Sequence, residues 1–495
     1  MADGTRRPNV VFITTDQQRY DTLGCTGNAW VRTPNLDRLA AEGVLFDRAY
    51  IQGSACMPSR ASFHTGRYAR TAGCPANGHT INRNEITLAK YLKDAGYVCG
   101  LSGKMHVCAH GHRYPEPRLP DDGYEEFHWS PNPHPFWPTD EYHHYLAGLG
   151  LEFRRERLEG ADHVWVTEPA GHSHTAWCMH CATGFIRRQV RYDADQQWMF
   201  NANIFDPHDP WDPPRKYLER YLSRVDEIPL PRFREGELDD KPEFLRDKHE
   251  KAGSADYELV HPSRMDDRQK RLIVAAYWAM IDLIDEQIGK LLAVLEETGQ
   301  ADNTLVIFTS DHGEMLGDHG QYFKGSQFYE ETVHVPLIFW MPGRIAGGRR
   351  SRALVELLDI LPTVLEFAGL DVPSRVQGRS LAPILAGDAP LDVHKDSVFC
   401  EALQGGLDRA TGMPQRNWQT MLRTDRYKIV QHHGHPLGQL YDLQTDPEEF
   451  INRWDDPDSR DAKIEMLRRL SDRQAFCWDW HHPKQPGRAD NTSHA

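Results

Sequence analysis

Short apolar runs alternate with helical patterns along the first 390 residues, and this alternation restricts the fold more than any other feature of the chain. Each run has the length and the branched apolar content of a buried strand. The runs lie at Val10–Thr14, Tyr97–Leu101, Trp198–Phe205, Thr304–Thr309 and Val335–Trp340. The pattern is typical of an α/β protein with a doubly wound, mainly parallel sheet flanked by helices.

Two helices are predicted with clear ends. Between Asp266 and Thr298, apolar residues recur at spacings of three and four, and Gly299 ends the pattern. A second helix is predicted over Leu354–Ala368, ended by Gly369.

Two other segments have no such periodicity. Residues 110–145 are rich in Pro, His and aromatic residues, and residues 225–263 are charged and contain Pro; we expect both to be lids or insertions over a site.

The composition changes near residue 390, and strand-like segments then return at Ser397–Glu401, Gln419–Leu422 and Tyr427–Gln431. We therefore expect a large catalytic α/β domain over residues 1–390 and a small α+β domain with antiparallel strands over residues 391–495. The polar tail after residue 480 is expected to be loose.

Charge and targeting signals narrow the function. The chain has 57 basic and 72 acidic residues, a net charge of −15, which argues against nucleic-acid and anionic-membrane partners. An anionic substrate would need basic residues gathered locally.

The apolar run near the start, Val10–Ile13, is too short for a signal peptide or a membrane span. With nine cysteines and no export signal, we expect a cytoplasmic protein with reduced thiols.

Carboxylates follow two of the predicted strands. Asp16 and Gln17 come directly after VVFITT, and Asp311 and His312 come directly after TLVIFTS. In parallel sheets, ligands bind at the carboxyl ends of the strands. Oxygen donors with an added imidazole suit a divalent cation, although loop acids and a structural histidine are the alternative for either pair alone. Together the two pairs predict a metal site.

The segment Cys56-Met57-Pro58-Ser59-Arg60, followed by Thr65-Gly66, contains a candidate nucleophile. A lone cysteine is often a small buried apolar residue. Here Arg60 lies four residues on, where its charge can lower the pKa of the Cys56 thiol or hold an anionic substrate.

This segment, C-x-P-S-R with T-G beyond it, resembles the signature of the sulfatase family. Other motifs extend the resemblance over nearly the whole chain: PNVVFITTDQQRYDTLGC and TPNLDRLAAEGVLFDRAY near the start, GKMH at 103–106, DPHDPWDPP at 206–214, SDHGEMLGDHG at 310–320 with Lys324 beyond, and LYDLQTDPEEFIN at 440–452. The resemblance implies an alkaline phosphatase-like fold. It also implies an arylsulfatase-type sulfuric ester hydrolase, in which Cys56 is oxidised to formylglycine and the aldehyde hydrate attacks the sulfur of a sulfate monoester.

The family resemblance also assigns roles. Asp16, Gln17, Asp311, His312 and formylglycine at position 56 would bind one divalent metal. Gln17 and His312 stand where Asp and Asn are common, which makes the site less anionic and softer, so Mn²⁺ becomes an alternative to the expected Ca²⁺. Mg²⁺ is a further alternative. The catalytic set implied is Cys56 as nucleophile, Arg60 supporting the hydrate, Lys104 and Lys324 holding the ester oxygens, His208 assisting the leaving alkoxide and His106 drawing off the second hydroxyl proton of the hydrate hemiester, with Asn77 nearby. His64 departs from the family pattern but lies outside C-x-P-x-R, so we expect maturation to proceed.

Alternatives remain open. The same formylglycine site serves phosphonate monoester and phosphate diester hydrolases, which the Asp16–Gln17 and Asp311–His312 pairs favour, whereas C-x-P-S-R and GKMH favour sulfate esters. A zinc module could use His172, His174, Cys178, His180 and Cys181. A non-catalytic relative is disfavoured, because each catalytic position holds a competent residue. The expected partners are a small-molecule sulfate ester and a formylglycine-generating enzyme, while the leaving group and homo-oligomer formation are left open.

Overall fold

The computed structural model describes residues 6–109, 118–134, 138–253, 259–404 and 417–478. Its strands in chain order are β1 (Asn9–Thr15), β2 (Val44–Phe46), β3 (Ala49–Tyr50), β4 (Val98–Gly103), β5 (Glu126–Trp129), β6 (Arg154–Arg157), β7 (Trp165–Glu168), β8 (Trp198–Asn203), β9 (Ala252–Gly253), β10 (Leu259–Val260), β11 (Thr304–Ser310), β12 (His334–Val335), β13 (Leu337–Trp340), β14 (Arg349–Ser351), β15 (Val355–Glu356), β16 (Val398–Gln404), β17 (Asn417–Arg423), β18 (Tyr427–His432) and β19 (Gly438–Asp442). Its α-helices are α1 (Pro34–Glu42), α2 (Cys56–Thr65), α3 (Leu88–Asp94), α4 (Glu141–Gly148), α5 (His174–Tyr192), α6 (Arg215–Leu222), α7 (Glu243–Glu250), α8 (Asp267–Glu297), α9 (Glu330–Val333), α10 (Ile360–Phe367), α11 (Ala382–Ala386) and α12 (Arg460–Phe476).

An eight-stranded sheet in the order β14-β2-β13-β11-β1-β8-β4-β5 forms the centre of the molecule. Strand β1 lies between β11 and β8 and pairs with both in parallel, and β4 continues the parallel set beyond β8. Strand β13 runs antiparallel to β11 and β2. The predicted mainly parallel sheet is confirmed, with one reversed strand inside it.

Helices cover both faces of this sheet. The side chains of Val11 and Ile13 on β1 join the apolar cluster that contains α5 and α8, while those of Val10 and Phe12 join the cluster that contains α2 and α10. Successive side chains of a strand point to opposite faces, so a strand buried on both sides is apolar throughout. The predicted doubly wound architecture is confirmed.

A second, antiparallel sheet follows near the C-terminus, in the order β16-β17-β18-β19. Helix α12 packs against it through Met466 and Leu470, in one apolar cluster with Leu422, Ile429 and Leu440. This arrangement confirms the predicted small α+β unit. Its boundary at residues 390 and 391 stays a prediction, and the tail after residue 480 lies outside the described residues.

The longest predicted helix is confirmed almost residue for residue. Helix α8 begins at Asp267, the Asp266 side chain accepts a 2.8 Å hydrogen bond from the Gln269 N–H, and Gly299 just beyond the end has a φ of 65°. The helix predicted over Leu354–Ala368 is wrong in its first half. There β15 pairs with β3 and a 3₁₀ turn follows, so the α-helix starts only at Ile360.

Two other expectations need correction. The strand predicted over Val335–Trp340 is divided at Pro336, whose nitrogen has no hydrogen to donate, and its two halves belong to different sheets. The segments predicted to be irregular contain regular structure: β5 and the start of α4 in residues 110–145, and α7, β9 and β10 in residues 225–263. Strand β5 depends on its pairing with β4, which local patterns do not reveal, whereas β9 and β10 pair with each other. In the described ranges, every helix is too short or too polar to cross a membrane.

Candidate active site

Four neighbouring parallel strands, β11, β1, β8 and β4, end at one edge of the main sheet. Asp311 follows β11, Asp16 follows β1, His208 lies in the loop after β8, and Lys104 follows β4. The register pairs Thr15 with Ser310, so Asp16 and Asp311 are side by side although 295 positions separate them. This edge is where parallel sheets bind their ligands.

Helix α2 brings the candidate nucleophile to the same edge of the sheet. Cys56 is its first residue, and Arg60 lies one turn later; both side chains are buried. The N-terminus of a helix carries a partial positive charge, which favours an anion at Cys56. Asn77 holds this end of the helix, because its Oδ1 accepts a 3.0 Å hydrogen bond from the Met57 N–H.

Asp16, Cys56, Asp311 and His312 form a compact buried cluster, in which four ligand atoms all lie within 4.8 Å of one another. His312 Nε2 lies 3.1 Å from Cys56 Sγ and 3.6 Å from the Oδ1 atom of each aspartate. His312 Nδ1 faces the Gly313 carbonyl oxygen at 2.9 Å, so Nδ1 carries a proton and Nε2 points into the cluster. Two carboxylates, an imidazole and the group at position 56 suit a divalent cation.

Arg60 pairs with the outer oxygens of the two carboxylates. Its Nε lies 2.7 Å from Asp311 Oδ2, and its Nη2 lies 3.3 Å from Asp16 Oδ2. Nη1 donates a 2.5 Å hydrogen bond to the Lys104 carbonyl oxygen, which links the guanidinium to the end of β4. The Oδ1 atoms are therefore the ones turned toward His312, and this donor geometry fits a metal.

Burial and the neighbouring charges also shift the pKa values of the two aspartates and the histidine in this cluster. Burial opposes ionisation of Asp16, but Lys104, His208 and Arg60 hold its pKa well below its usual range. Burial raises the pKa of Asp311, against the opposing charge of Arg60. Burial acts to lower the pKa of His312, yet Asp311 and a Cys56 thiolate raise it to about 9. A cation would compensate the same negative groups as this proton does.

Two lysines add positive charge beside Cys56. Lys104 Nζ lies 2.6 Å from Asp16 Oδ2 and 3.7 Å from Cys56 Sγ. Burial opposes a Cys56 thiolate, but Lys104, Lys324 and His312, with a hydrogen bond from His106, lower the pKa of the thiol well below its ordinary value. The group at position 56 therefore lies in a strongly electropositive position.

A polar chain joins Lys324 to the end of β1. The Lys324 ammonium contacts His208 Nε2 and donates to Gln17 Oε1. The Gln17 amide donates to Asp209 Oδ1 at 3.2 Å and to a Glu314 carboxylate oxygen. The amide oxygen of Gln17 is thus turned toward Lys324, and a role for Gln17 in metal binding stays a prediction.

Sequence reasoning missed Asp209 and Glu314, which lie one residue after His208 and two residues after His312. A signal was available, because both are carboxylates inside the motifs that supply the site. Their partner was not visible, since the Gln17 side chain that they bind is far away in sequence.

A cavity of about 420 Å³ opens over Cys56. Its lining includes Lys104, His106, His208 and Lys324 of the predicted catalytic set, together with Asn77, Asp209, Lys248, Lys251, Tyr322 and Phe323. Lys248 and Lys251 come from the segment 225–263, in agreement with its prediction as an insertion over the site. From the other segment, residues Pro133 and Tyr142 instead line a separate, much smaller cavity.

The structure also places His64 and the residues of the zinc alternative, while maturation in the presence of His64 stays a prediction. His64 is fully buried between Phe12 and Phe63, and burial lowers its pKa to about 3, so it is a neutral core residue. The zinc alternative brings together two donors on α5, with Cys178 Sγ 3.8 Å from His174 Nδ1, and no third among the described residues. Within the described ranges, the cluster around Asp16 is the single group of three or more metal-binding side chains.

Comparison with known proteins agrees with this geometry. The family model Sulfatase matches residues 8–370, and the model N-sulphoglucosamine sulphohydrolase, C-terminal, matches residues 317–475. The chain belongs to the sulfatase family. As a member of that family, it is a hydrolase of the sulfuric ester type.

Individual relatives of this sulfatase span almost its whole length. It is 30% identical to an arylsulfatase of Clostridium perfringens, over 94% of this chain and 93% of the relative. It is 27% identical to an N-acetylglucosamine-6-O-sulfatase of Bacteroides thetaiotaomicron, over 95% and 87%. Among solved structures, a phosphonate monoester hydrolase of Agrobacterium radiobacter is 27% identical, covers 96% of both chains and has a TM-score of 0.82.

Proposed function

We propose that this sulfatase cleaves a sulfate monoester with residue 56, matured from cysteine to formylglycine, as its nucleophile and with one bound divalent metal. The observation that carries the proposal is the position of Cys56. Its Sγ, which stands in for the oxygens of the hydrated aldehyde, lies 3.1 Å from His312 Nε2 and 3.7 Å from Lys104 Nζ, at the base of the cavity.

Asp16, Asp311 and His312 would hold the metal together with residue 56, and Gln17 is proposed as a further ligand. When bound, the cation lowers the pKa of the nucleophile and polarises the group that is transferred. Ca²⁺ is the proposed metal. Mn²⁺ is an alternative because the imidazole of His312 is a softer ligand than an amide oxygen, and Mg²⁺ is a further alternative.

Lys104 and Lys324 would bind the sulfate oxygens. Both ammoniums are anchored before substrate arrives, Lys104 by Asp16 Oδ2 and Lys324 by the Gln17 amide oxygen. Cations held in advance where negative charge develops stabilise a transition state most strongly in a site that excludes water. Arg60, which bridges the two aspartates, would keep their charge balanced and support residue 56.

His208 would protonate the leaving alkoxide. Its Nδ1 lies 2.5 Å from the Asp209 carbonyl oxygen, which can only accept, so Nδ1 carries a hydrogen and Nε2 is the atom that exchanges protons. Nε2 accepts from the Lys324 ammonium, next to where the ester would lie, so the proton that Nε2 passes to the alkoxide would come from this ammonium. His106 forms a hydrogen bond with Cys56 and would accept a proton from the group at position 56.

The second candidate function is phosphonate monoester hydrolysis at the same site, with phosphate diesters as related substrates. The TM-score of 0.82 with a phosphonate monoester hydrolase favours it. A sulfate monoester has three terminal oxygens and a phosphonate monoester has two, with carbon in place of the third. A site with two lysines and a metal therefore suits the sulfate better.

The deciding experiment compares two substrates with the same leaving group. The protein is produced together with a formylglycine-generating enzyme, and kcat/KM is measured for 4-nitrophenyl sulfate and for a 4-nitrophenyl phosphonate monoester. We expect a clear preference for the sulfate, and a clear preference for the phosphonate would make the second candidate the function. Protein with Cys56→Ala, prepared in the same way, measures the contribution of any contaminating enzyme. Cytoplasmic location stays a prediction, and homo-oligomer formation stays open.

A further inference from the structure

The cavity over Cys56 contains more positive charge than one sulfate group requires. Four of its lining side chains are ammoniums, those of Lys104, Lys248, Lys251 and Lys324, whereas Asp209 supplies one carboxylate. This excess lies in a chain whose net charge is −15. Lys104 and Lys324 are accounted for by the proposed sulfate site, and Lys248 and Lys251 are not.

Lys248 is the better defined of these two lysines. It lies on α7, and its Nζ donates to the Lys324 carbonyl oxygen at 3.2 Å and to Gln327 Oε1 at 2.8 Å. These bonds hold the ammonium directly beside the backbone of Lys324. Its position is thus fixed next to the sulfate site by two neutral acceptors.

Neither Lys248 nor Lys251 forms an ion pair with a carboxylate among the residues that the structure describes. Burial lowers the pKa of Lys248 to about 8, and the Glu314 charge offsets this only in part. Lys251, at the end of α7, is exposed at the rim of the same cavity. A positive charge that is partly removed from water and has no carboxylate in contact, as at Lys248, favours the binding of an anion.

We propose that Lys248 and Lys251 form a second anion subsite, so that the substrate is a sulfate monoester whose alcohol carries another anionic group, a carboxylate or a second sulfate. This inference rests on the proposed sulfate site. The volume of about 420 Å³ falls in the range of about 300–1,000 Å³ that small-molecule pockets occupy. Tyr322 and Phe323 line the space, so a ring can hold the two anionic groups apart.

The test measures binding rather than turnover, which separates it from the proposed function. Calorimetry gives the affinities of benzenesulfonate, benzene-1,3-disulfonate and naphthalene-2,6-disulfonate for the full-length protein. We expect at least one disulfonate to bind about tenfold or more tightly than benzenesulfonate, since a second charge pair in a partly buried site contributes at least this much. Equal affinity for all three compounds would overturn the proposal.

Variants assign the effect to the two lysines. Lys248→Met and Lys251→Met keep the aliphatic stem and remove the charge; each should lower the ratio of disulfonate to monosulfonate affinity, and the double variant should bring it close to one. Lys251 is exposed, so its variant tests the subsite even if Lys248→Met disturbs Lys324. Lys216→Met, on the surface beside Glu286, is the matched control and should leave the ratio unchanged. A ratio that survives in the double variant would overturn the assignment.

Inorganic sulfate distinguishes a substrate subsite from a site for a free anion. Titrated alone, it should bind with one equivalent, because the second subsite gains its affinity from attachment to the first group. Two equivalents in the wild type and one in the double variant would assign the subsite to a free anion and overturn the dianionic substrate. If 4-nitrophenyl sulfate is not hydrolysed while the disulfonate preference holds, the proposed reaction fails and the subsite remains.

Discussion

Replacement of Arg60 by methionine tests how the carboxylates of the candidate metal site are stabilised. The guanidinium is fully buried and contacts Asp311 Oδ2 at 2.7 Å and Asp16 Oδ2 at 3.3 Å. Methionine fills much of the same volume and supplies no charge. The substitution therefore leaves Asp311 with the more distant His312 imidazole, at 3.6 Å, whereas Asp16 keeps Lys104 at 2.6 Å.

The size of the effect follows from these contacts. Removal of one partner of a buried ion pair costs about 3–5 kcal/mol, and the retained Lys104 contact places the expected loss near the lower end, about 3 kcal/mol. At about 2 cal/mol/K of unfolding entropy per residue, a cooperative unit of roughly 400 residues then loses about 4 °C in melting temperature.

The assay is thermal unfolding of protein produced without the maturation enzyme, so that every variant carries cysteine at position 56. In the presence of a chelator, Arg60→Met should melt about 4 °C below the wild type. Arg468→Met removes an exposed arginine from surface pairs with Glu465 and Asp472, and should leave the melting temperature unchanged. Addition of Ca²⁺ or Mn²⁺ should raise the melting temperature of Arg60→Met more than that of the wild type. In the variant the bound cation replaces the charge of the missing guanidinium, whereas in the wild type Arg60 already provides that charge.

Three results would refute this reasoning. If Arg60→Met melts at the wild-type temperature in chelator, the buried carboxylates do not depend on the guanidinium. If neither protein is stabilised by Ca²⁺ or Mn²⁺, the Oδ1 atoms of Asp16 and Asp311 do not form a cation site, and if the variant responds less than the wild type, the cation does not replace the charge of the guanidinium.

Three further predictions concern catalysis and metal binding. Cys56→Ala should abolish hydrolysis of 4-nitrophenyl sulfate with no loss of melting temperature, and retained turnover would assign the nucleophile elsewhere. Lys324→Met should lower kcat/KM by about 10²–10³-fold, as the loss of one oriented group that stabilises a transition state does, while Lys216→Met should match the wild type. Affinity for Ca²⁺ or Mn²⁺ should increase as the pH rises from 6.5 toward about 9, because the metal must displace the proton that His312 holds in the folded protein. Calorimetric affinities that stay constant over this range would contradict that competition.

Much of the fold was predictable from the sequence because its central strands are apolar on both faces. A run such as Val10–Ile13 can be accommodated only inside a layered structure, and the regular apolar spacing of α8 identifies a helix without reference to any contact. Errors occurred where distant parts of the chain decide the local structure. Val355 and Glu356 are extended because they pair with β3, and β5 is a strand because β4 lies beside it.

The candidate site was predictable where each residue belongs to a local motif, as at the ends of β1 and β11. The residues that the motifs do not assign are the ones whose role depends on a partner. Asp209 and Glu314 matter through the Gln17 amide, and Lys248 through the backbone of Lys324. None of these partners lies nearby in the sequence.

The sequence by itself determined the layered α/β class, the residue types at the strand ends and the position of Cys56 before Arg60, because these depend on periodicity and on spacing along the chain. The tertiary structure decided which oxygens of Asp16 and Asp311 face Arg60 and which face His312, and it brought Lys248 and Lys251 to the cavity. The physical reason is that charges interact through space over a few ångströms. The parallel pairing of β1 with β11, and not the length of chain between them, sets those distances.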